Sequence, residues 1–213
     1  ITLEIAAGGS GVGIQAVHDG TADIGMASRQ LTDEETEGIE HHQIAVDVIA
    51  MVVNPSNPIN DLTIEKLRHI YSGEITTWSE LGGADVAITV AVRETTSGTR
   101  MAFDELVLDK ADPAAPEMVN LMTAGDVAAF VTNNPNAIGY VGFGNLEEGL
   151  KSLKVNGVTP TEDNARDGSY ALTRPLLLLT GPLSQPVAET FVEYALSAAG
   201  QHVVVDSGWI PAN

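Results

Sequence analysis

Hydrogen-bond donors are concentrated in one stretch of the chain, Arg93–Arg100, which has the sequence RETTSGTR. This stretch follows an apolar, strand-like run at residues 87–92 and precedes an apolar-periodic segment that begins at Met101. It therefore lies at a predicted strand-to-helix turn. The first amides of a helix lack intrahelical partners, and the helix dipole adds partial positive charge there. The stretch predicts a site for a small anion.

The donors in this stretch suit an anion with four oxygens. The hydroxyl donors are Thr95, Thr96, Ser97 and Thr99. Gly98 allows a ligand to approach the backbone closely, and the planar guanidinium of Arg93 can bind two oxygens of one anion. Glu94 is placed to orient that arginine. The alternative interpretation is an ordinary helix start, capped by Ser97 or Thr99, with Arg93 on the surface.

A second glycine-rich turn, residues 7–13, has the sequence AGGSGVG. It follows an alternating segment, Thr2–Ala6, that predicts a strand, and it leads into a predicted helix that Ser10 would cap. The spacing of the glycines is not that of a dinucleotide-binding loop, and there is no P-loop lysine or nucleophile elbow. The turn therefore offers amides and a hydroxyl without a nucleotide or hydrolase signature.

A third group of donors follows the next predicted strand, residues 22–27, which ends at Ser28 and Arg29. In open α/β sheets, ligands bind at the carboxyl ends of the strands. Both side chains are therefore candidate donors to the same anion. The alternative is a turn serine beside an arginine in a surface ion pair worth less than about 1 kcal/mol.

Composition limits the classes of function. With 213 residues, 44% of them hydrophobic and 18% charged, the chain is globular. The net charge of −19 excludes a nucleic-acid partner and is typical of either a salt-loving source or an ordinary acidic protein. There are no cysteines, the five histidines lack metal-ligand spacing, and no apolar run approaches the roughly 18 residues that span a bilayer. We predict no metal and no cofactor.

Several short motifs follow one another along nearly the whole chain. They are Gly9–Gly11, Asp23–Arg29, Ile70–Trp78, Arg93–Thr99, Asn134–Val141, Thr173–Leu176 and Gly208–Pro211. Together they resemble the phosphate-binding (PstS-like) periplasmic proteins of phosphate ABC transporters. The resemblance implies an extracytoplasmic protein that captures inorganic phosphate for the permease subunits of an ABC importer, without catalysis.

The same resemblance implies the fold and the ligand-binding residues. The fold is an α/β, type II periplasmic-binding-protein fold with two discontinuous lobes and two hinge crossings. Lobe 1 would comprise residues 1–50 and 172–213, lobe 2 residues 51–171, and phosphate would lie between them. The implied phosphate ligands are Ser10, Ser28, Arg93, Ser97, Gly98 and Thr99. The residues that we expect to support them are Gly9, Gly11, Arg29, Glu94 and Thr96.

The sequence departs from the family pattern in two places. Some members carry an aspartate at the position of Ser28, where it accepts the proton of a protonated phosphate, so discrimination against sulfate is in question here. The family's usual first strand, phosphate loop and helix are also missing from this sequence. We expect a further segment or a second chain to complete the sheet of lobe 1, or the strands to close up.

Two other classes of function remain open from the sequence. The same lobes could form a sensor or interaction module with weak or no phosphate binding. A hydrolase that uses Ser97 is the enzyme alternative, although no histidine lies near it in sequence and phosphate-ester hydrolysis normally needs metals.

Overall fold

The structure, a computed structural model, describes residues 2–6, 10–95 and 97–212. Two of the predicted supporting residues, Gly9 and Thr96, lie outside the described residues. The chain divides into two compact units. The first unit comprises Ile1–Val46 and Arg174–Asn213, and the second unit comprises Asp47–Thr173.

Helices and strands alternate along most of the described chain. The helices are α1 (Ser10–His18), α2 (Ile64–Ser72), α3 (Gly98–Val107), α4 (Ala124–Asn133), α5 (Glu162–Arg166), α6 (Pro186–Leu196) and α7 (Ala198–Asp206). The strands are β1 (Gly25–Ala27), β2 (Glu40–Val53), β3 (Asp61–Leu62), β4 (Thr89–Arg93), β5 (Met118–Leu121), β6 (Ala137–Gly142), β7 (Lys151–Ser152), β8 (Lys154–Val155), β9 (Thr173–Thr180) and β10 (Ile210–Pro211). None of these helices combines the length and apolar character needed to cross a bilayer.

The first unit is built on β1, β9, the amino-terminal part of β2, and β10. Strand β1 is antiparallel to β9, with Met26 opposite Leu178, and β9 is hydrogen-bonded to β2. Strand β10 pairs with β2 through Ile210 and Val46. A small apolar core lies under α1 and consists of Ile14, Val17, Ala27, Ile39, Leu177 and Leu179. The helix and the sheet therefore bury one shared apolar layer.

The second unit is a mixed sheet with helical connections. The carboxyl-terminal part of β2 is antiparallel to β6 and β7, whereas β4 is parallel to both β6 and β5. Helix α3 joins β4 to β5 and α4 joins β5 to β6, as expected for parallel neighbours. The core between α4 and the sheet consists of Ala50, Val52, Ala91, Val127, Val131, Ala137 and Val141. A small parallel pair, β3 with β8, completes the described strands.

Local capping signals predicted one helix well and misplaced another. The sequence predicts Thr63 as the cap of the apolar-periodic segment that begins at Ile64, and this is confirmed, because its side chain accepts from the amide of Lys66. The sequence also predicts Ser184 as the cap of a helix with Pro186 in its first turn, and this is wrong, because α6 starts at Pro186 with Gln185 at its N-cap. The hydroxyl of Ser184 instead accepts from the amide of Gly181, which holds the turn before the helix.

Two predicted elements are absent from the described residues. The segment Thr2–Ala6 is not a strand, and its apolar side chains Leu3 and Ile5 are 61% and 81% exposed. A segment of alternating residues forms a stable strand only where a neighbouring strand pairs with it. The pattern of the acidic segment Thr32–Thr36 also predicts the start of a short helix, but the segment forms turns. It has no apolar face to pack, and an isolated short helix is unstable in water.

Candidate anion-binding site

The backbone of Arg93 is fixed from both sides at the end of β4. Its amide donates to the hydroxyl of Tyr140 at 3.2 Å, and its carbonyl accepts from Nη1 of Arg100 at 2.8 Å. Tyr140 and Arg100 lie on β6 and α3. The backbone of the residue predicted to bind the anion is therefore held rigidly.

The side chain of Arg93 is oriented by a backbone carbonyl. Nε and Nη2 donate to the carbonyl of Met122 at 3.2 and 2.9 Å. A carbonyl directs the guanidinium without neutralising it, and within the described residues no carboxylate forms a salt bridge with Arg93. Hydrogen bonds from Thr123 lower the pKa of the nearby Asp126, and the positive charge of Arg93 adds to that effect.

Ser97 is the N-cap of α3. Its hydroxyl oxygen accepts from the amide of Arg100 at 3.3 Å, and its own amide donates to the carbonyl of Glu94. Ser97 is 6% exposed, whereas Gly98 is exposed and Thr99 is half-buried. The ordinary helix-start interpretation is therefore confirmed for Ser97. Capping uses the oxygen as an acceptor and leaves the hydroxyl hydrogen able to donate, so it does not conflict with anion binding.

Arg100 was not among the predicted site residues, yet it holds this turn together. It is 4% exposed and donates from Nε to Asp104 at 2.6 Å, while Nη2 lies 3.4 Å from Asp112. Burial raises the pKa of Asp104, and the hydrogen bond and positive charge of Arg100 offset part of that effect. The spacing of four residues between Arg100 and Asp104 was the one sequence signal for this pair.

A layer of buried aromatic rings supports the turn from below. The ring of Phe103 stacks on Tyr140 with centroids 4.2 Å apart and lies 4.5 Å from Tyr71. Burial raises the pKa of the Tyr140 hydroxyl, so the hydroxyl stays neutral and accepts from the amide of Arg93. The α3 turn therefore rests on a well-packed interior.

In the first unit, Ser10 lies beside Ser28. Ser10 was predicted as the N-cap of this helix, but it is the first residue of α1. Its hydroxyl oxygen accepts from the amide of Ser28 at 3.1 Å. The structure thus brings together two of the predicted phosphate ligands from different elements. Gly11 lies in the same first turn and is exposed.

Two glycines allow α1 to lie directly against β1. A Cβ atom on Gly13 would lie 2.6 Å from the carbonyl oxygen of Met26, and one on Gly25 would lie 2.4 Å from the carbonyl oxygen of Gly13. Real Cβ atoms do not approach backbone oxygens so closely. The close approach of α1 to β1 is what places Ser10 against the residue that follows the strand.

Arg174, on β9, is the residue that sequence reasoning missed in this unit. It is 8% exposed, and its Nη1 lies 3.3 Å from the hydroxyl oxygen of Ser28. The two residues are separated by 146 positions. The one signal for it in the sequence was weak: the segment Thr173–Leu176 carried part of the family resemblance but no predicted ligand.

Arg29 is engaged within its own loop. It donates to both carboxylate oxygens of Glu35 at 2.7 and 2.8 Å and to the carbonyl of Gln30. This bidentate pair, with further hydrogen bonds from Thr32, lowers the pKa of Glu35 to about 2. The predicted alternative for Arg29, an ion pair near the surface, is present in the structure.

The described residues contain no group of three or more histidine or carboxylate side chains arranged to hold a metal ion. The donors at the starts of α1 and α3 are hydroxyls, amides and guanidinium groups. Both clusters suit an oxyanion rather than a cation.

The fold of this chain is known from other proteins. A family model described as a PBP superfamily domain matches residues 1–199. The crystal structure of an ABC-type phosphate transport receptor from Vibrio cholerae is similar, with a TM-score of 0.87 and 33% identity over 95% of this chain and 85% of that one. The chain therefore has the α/β periplasmic-binding-protein fold.

Two further similar proteins show to which family within this fold the chain belongs. The phosphate-binding protein PstS of Bacillus subtilis strain 168 is 34% identical over 98% of this chain and 71% of its own length. A putative phosphate ABC transporter substrate-binding protein from Clostridium perfringens, crystallised with bound phosphate, is 36% identical over 96% of this chain and 85% of that one, with a TM-score of 0.74. This chain belongs to the PstS family of phosphate-binding proteins.

Proposed function

We propose that this protein binds inorganic phosphate outside the cytoplasm and delivers it to the permease subunits of an ABC importer. The Bacillus subtilis relative is named a phosphate-binding protein, and the Vibrio cholerae protein is described as an ABC-type phosphate transport receptor. Members of this family are binding proteins and not enzymes, so the hydrolase alternative is set aside. The observation that carries the proposal is the cluster of oriented donors around Arg93 at the start of α3.

Each residue has a distinct role in the proposed site. Arg93 neutralises the anion and donates to two of its oxygens, while Ser97, Gly98 and Thr99 donate from the first turn of α3. Ser10 and Ser28 supply the hydroxyls of the first unit. A hydrogen bond to a charged group contributes about 1.5–3 kcal/mol, and about 8 kcal/mol in all corresponds to micromolar affinity.

We propose further that the two compact units are the two lobes of a type II binding protein. The chain passes between them within β2 and at the start of β9, which supports two hinge crossings. In this mechanism one phosphate satisfies donors from both units, so that binding favours the closed state.

The edge of the first-unit sheet is proposed to accept one more strand. Within the described residues, β1 pairs with β9 alone, and its Met26 is exposed. An uncovered edge is a template for another strand, supplied by a further segment or by a second copy. Light scattering during size-exclusion chromatography separates these sources, because only the second copy gives a dimer. Fast deuterium exchange at β1 in every species would contradict added pairing.

The principal test is isothermal titration with phosphate. The wild-type protein is expected to bind phosphate with micromolar or tighter affinity, and Arg93→Ala to weaken binding by 100-fold or more, about 2.7 kcal/mol. Arg166→Ala is the matched control, because Arg166 pairs with Glu162 on an exposed helix of the same unit.

The outcomes of this titration are distinct. Unchanged affinity in Arg93→Ala removes that residue from the site, whereas absent binding in the wild-type protein refutes the proposed function and favours a sensor or interaction module. A parallel series with sulfate, arsenate and molybdate, monitored as a rise in melting temperature, ranks the ligands.

A further inference from the structure

We propose that Arg174 is a positioning residue that makes Ser28 a hydrogen-bond donor, so that the first unit's part of the site accepts fully deprotonated tetrahedral oxyanions, sulfate included. This inference rests on the proposed function and adds its selectivity. It arises from three residues that are far apart in sequence and in contact in the structure: Ser10, Ser28 and Arg174.

The direction of each hydrogen bond follows from the chemistry of the groups. A guanidinium has donors only, so in the 3.3 Å contact the hydroxyl oxygen of Ser28 accepts from Arg174. In the 3.1 Å contact, the hydroxyl oxygen of Ser10 accepts from the backbone amide of Ser28. Both serine oxygens therefore accept from nitrogen donors that are fixed by the fold.

The remaining hydrogen-bonding capacity of both serines includes their hydroxyl hydrogens. A serine hydroxyl has one hydrogen and two lone pairs, and each oxygen here already accepts one bond. Each hydroxyl can therefore donate to an added ligand. A fully deprotonated tetrahedral oxyanion offers acceptors only, and it matches this arrangement without carrying a proton of its own.

The buried charge of Arg174 favours the same ligands. The side chain is 8% exposed, so solvent screens its positive charge weakly. A carboxylate at position 28 would have the opposite effect, because it would pair with the proton of a protonated phosphate. Sites that bind a ligand hydroxyl in this way reject analogues that lack it by about 10⁴–10⁵-fold. Ser28 backed by Arg174 does not provide that rejection.

The experiment compares phosphate with sulfate by isothermal titration of the full chain at one pH and one salt concentration. We expect the wild-type protein to prefer phosphate by less than about 1,000-fold, below the discrimination of a site that reads a ligand hydroxyl. We expect Ser28→Asp to weaken sulfate at least tenfold more than phosphate. Ser207→Asp is the charge control, since Ser207 is exposed in the same unit.

A second arm tests whether Arg174 acts through Ser28. Arg174→Gln is expected to weaken both anions by roughly 10- to 100-fold, the range for one charge-assisted hydrogen bond. Arg174→Lys keeps the charge and should recover part of that loss. In a Ser28→Ala background, Arg174→Lys should change affinity by less than about twofold, because the residue through which it acts is absent. Thermal unfolding identifies any variant that fails to fold. If Arg174→Gln does not fold, Arg174→Lys is used in its place.

Two results would overturn the inference. One is a wild-type preference for phosphate above about 1,000-fold. The other is unchanged affinity for both anions in Arg174→Gln, or in Arg174→Lys where the glutamine variant does not fold. Either result leaves the proposed function intact if phosphate still binds. Failure of the wild-type protein to bind phosphate at all would instead refute the function on which the inference depends.

Discussion

The two donor clusters of this protein are built in opposite ways. The cluster of the second unit comes from one contiguous stretch, Arg93–Thr99, at a single strand-to-helix turn. The cluster of the first unit is assembled from Ser10, Ser28 and Arg174, which belong to separate parts of the chain. The first kind of cluster depends on local signals, whereas the second kind depends on how the unit packs.

The clusters also differ in what supports them. The turn after β4 rests on buried rings and on a buried ion pair, Arg100 with Asp104. The contact between Ser10 and Ser28 depends on the lack of side chains at Gly13 and Gly25. We therefore expect the second-unit cluster to be disrupted when a buried group is removed. The first-unit cluster should be disrupted when a methyl group is added at one of these glycines.

The largest effect is expected for Arg100→Leu. This change leaves the carboxylate of Asp104 desolvated without its partner and removes the donor to the Arg93 carbonyl. Breaking a buried pair costs about 3–5 kcal/mol in the free energy of unfolding, measured by urea denaturation. Arg166→Leu breaks the exposed pair with Glu162, which has the same spacing, and should cost less than about 1 kcal/mol. Equal losses in the two variants would contradict the account of this turn.

An intermediate effect is expected for Gly25→Ala. The added methyl group would meet the Gly13 carbonyl at 2.4 Å and must push α1 away from β1. Overpacking of this kind costs about 1–3 kcal/mol, and we expect phosphate affinity to fall with it because Ser10 moves. Gly125→Ala, in the first turn of α4, meets its nearest atom at 3.7 Å and should leave stability unchanged or slightly higher. A stable Gly25→Ala variant with normal affinity would show that close packing does not position Ser10.

The smallest effect is expected for Tyr140→Phe. It removes the acceptor for the amide of Arg93 and should cost about 1–2 kcal/mol, measured by thermal or urea unfolding. Tyr71→Phe is the matched control in the same aromatic layer. The buried Tyr71 hydroxyl has no hydrogen-bond partner among the described residues, so its removal should be neutral or stabilising. A larger loss for Tyr71→Phe than for Tyr140→Phe would reverse the assigned roles.

The contrast between the clusters explains what the sequence could predict. The Arg93–Thr99 stretch was recognisable because a strand pattern, a serine cap and a helix pattern follow one another directly. Arg100 was missed because its burial depends on packing against Asp104 and the β4 turn. Arg174 was missed because its contact with Ser28 spans 146 positions, beyond the reach of local periodicity.

The wrong strand prediction has a related cause. The alternation in Thr2–Ala6 describes which side chains would share one face of a strand. It contains no information about whether a neighbouring strand pairs with the segment, and in the described residues none does. Strand pairing is a property of the sheet, and single segments do not encode it.

The central proposal is that the Ser10 and Arg93 clusters bind one and the same phosphate. Isothermal titration of the wild-type protein, Ser10→Ala, Arg93→Ala and the double variant tests this claim most directly. The account predicts one phosphate per chain, with each single change weakening that one binding event. Two phosphates per chain, or a Ser10→Ala variant that binds as tightly as the wild-type protein, would contradict it.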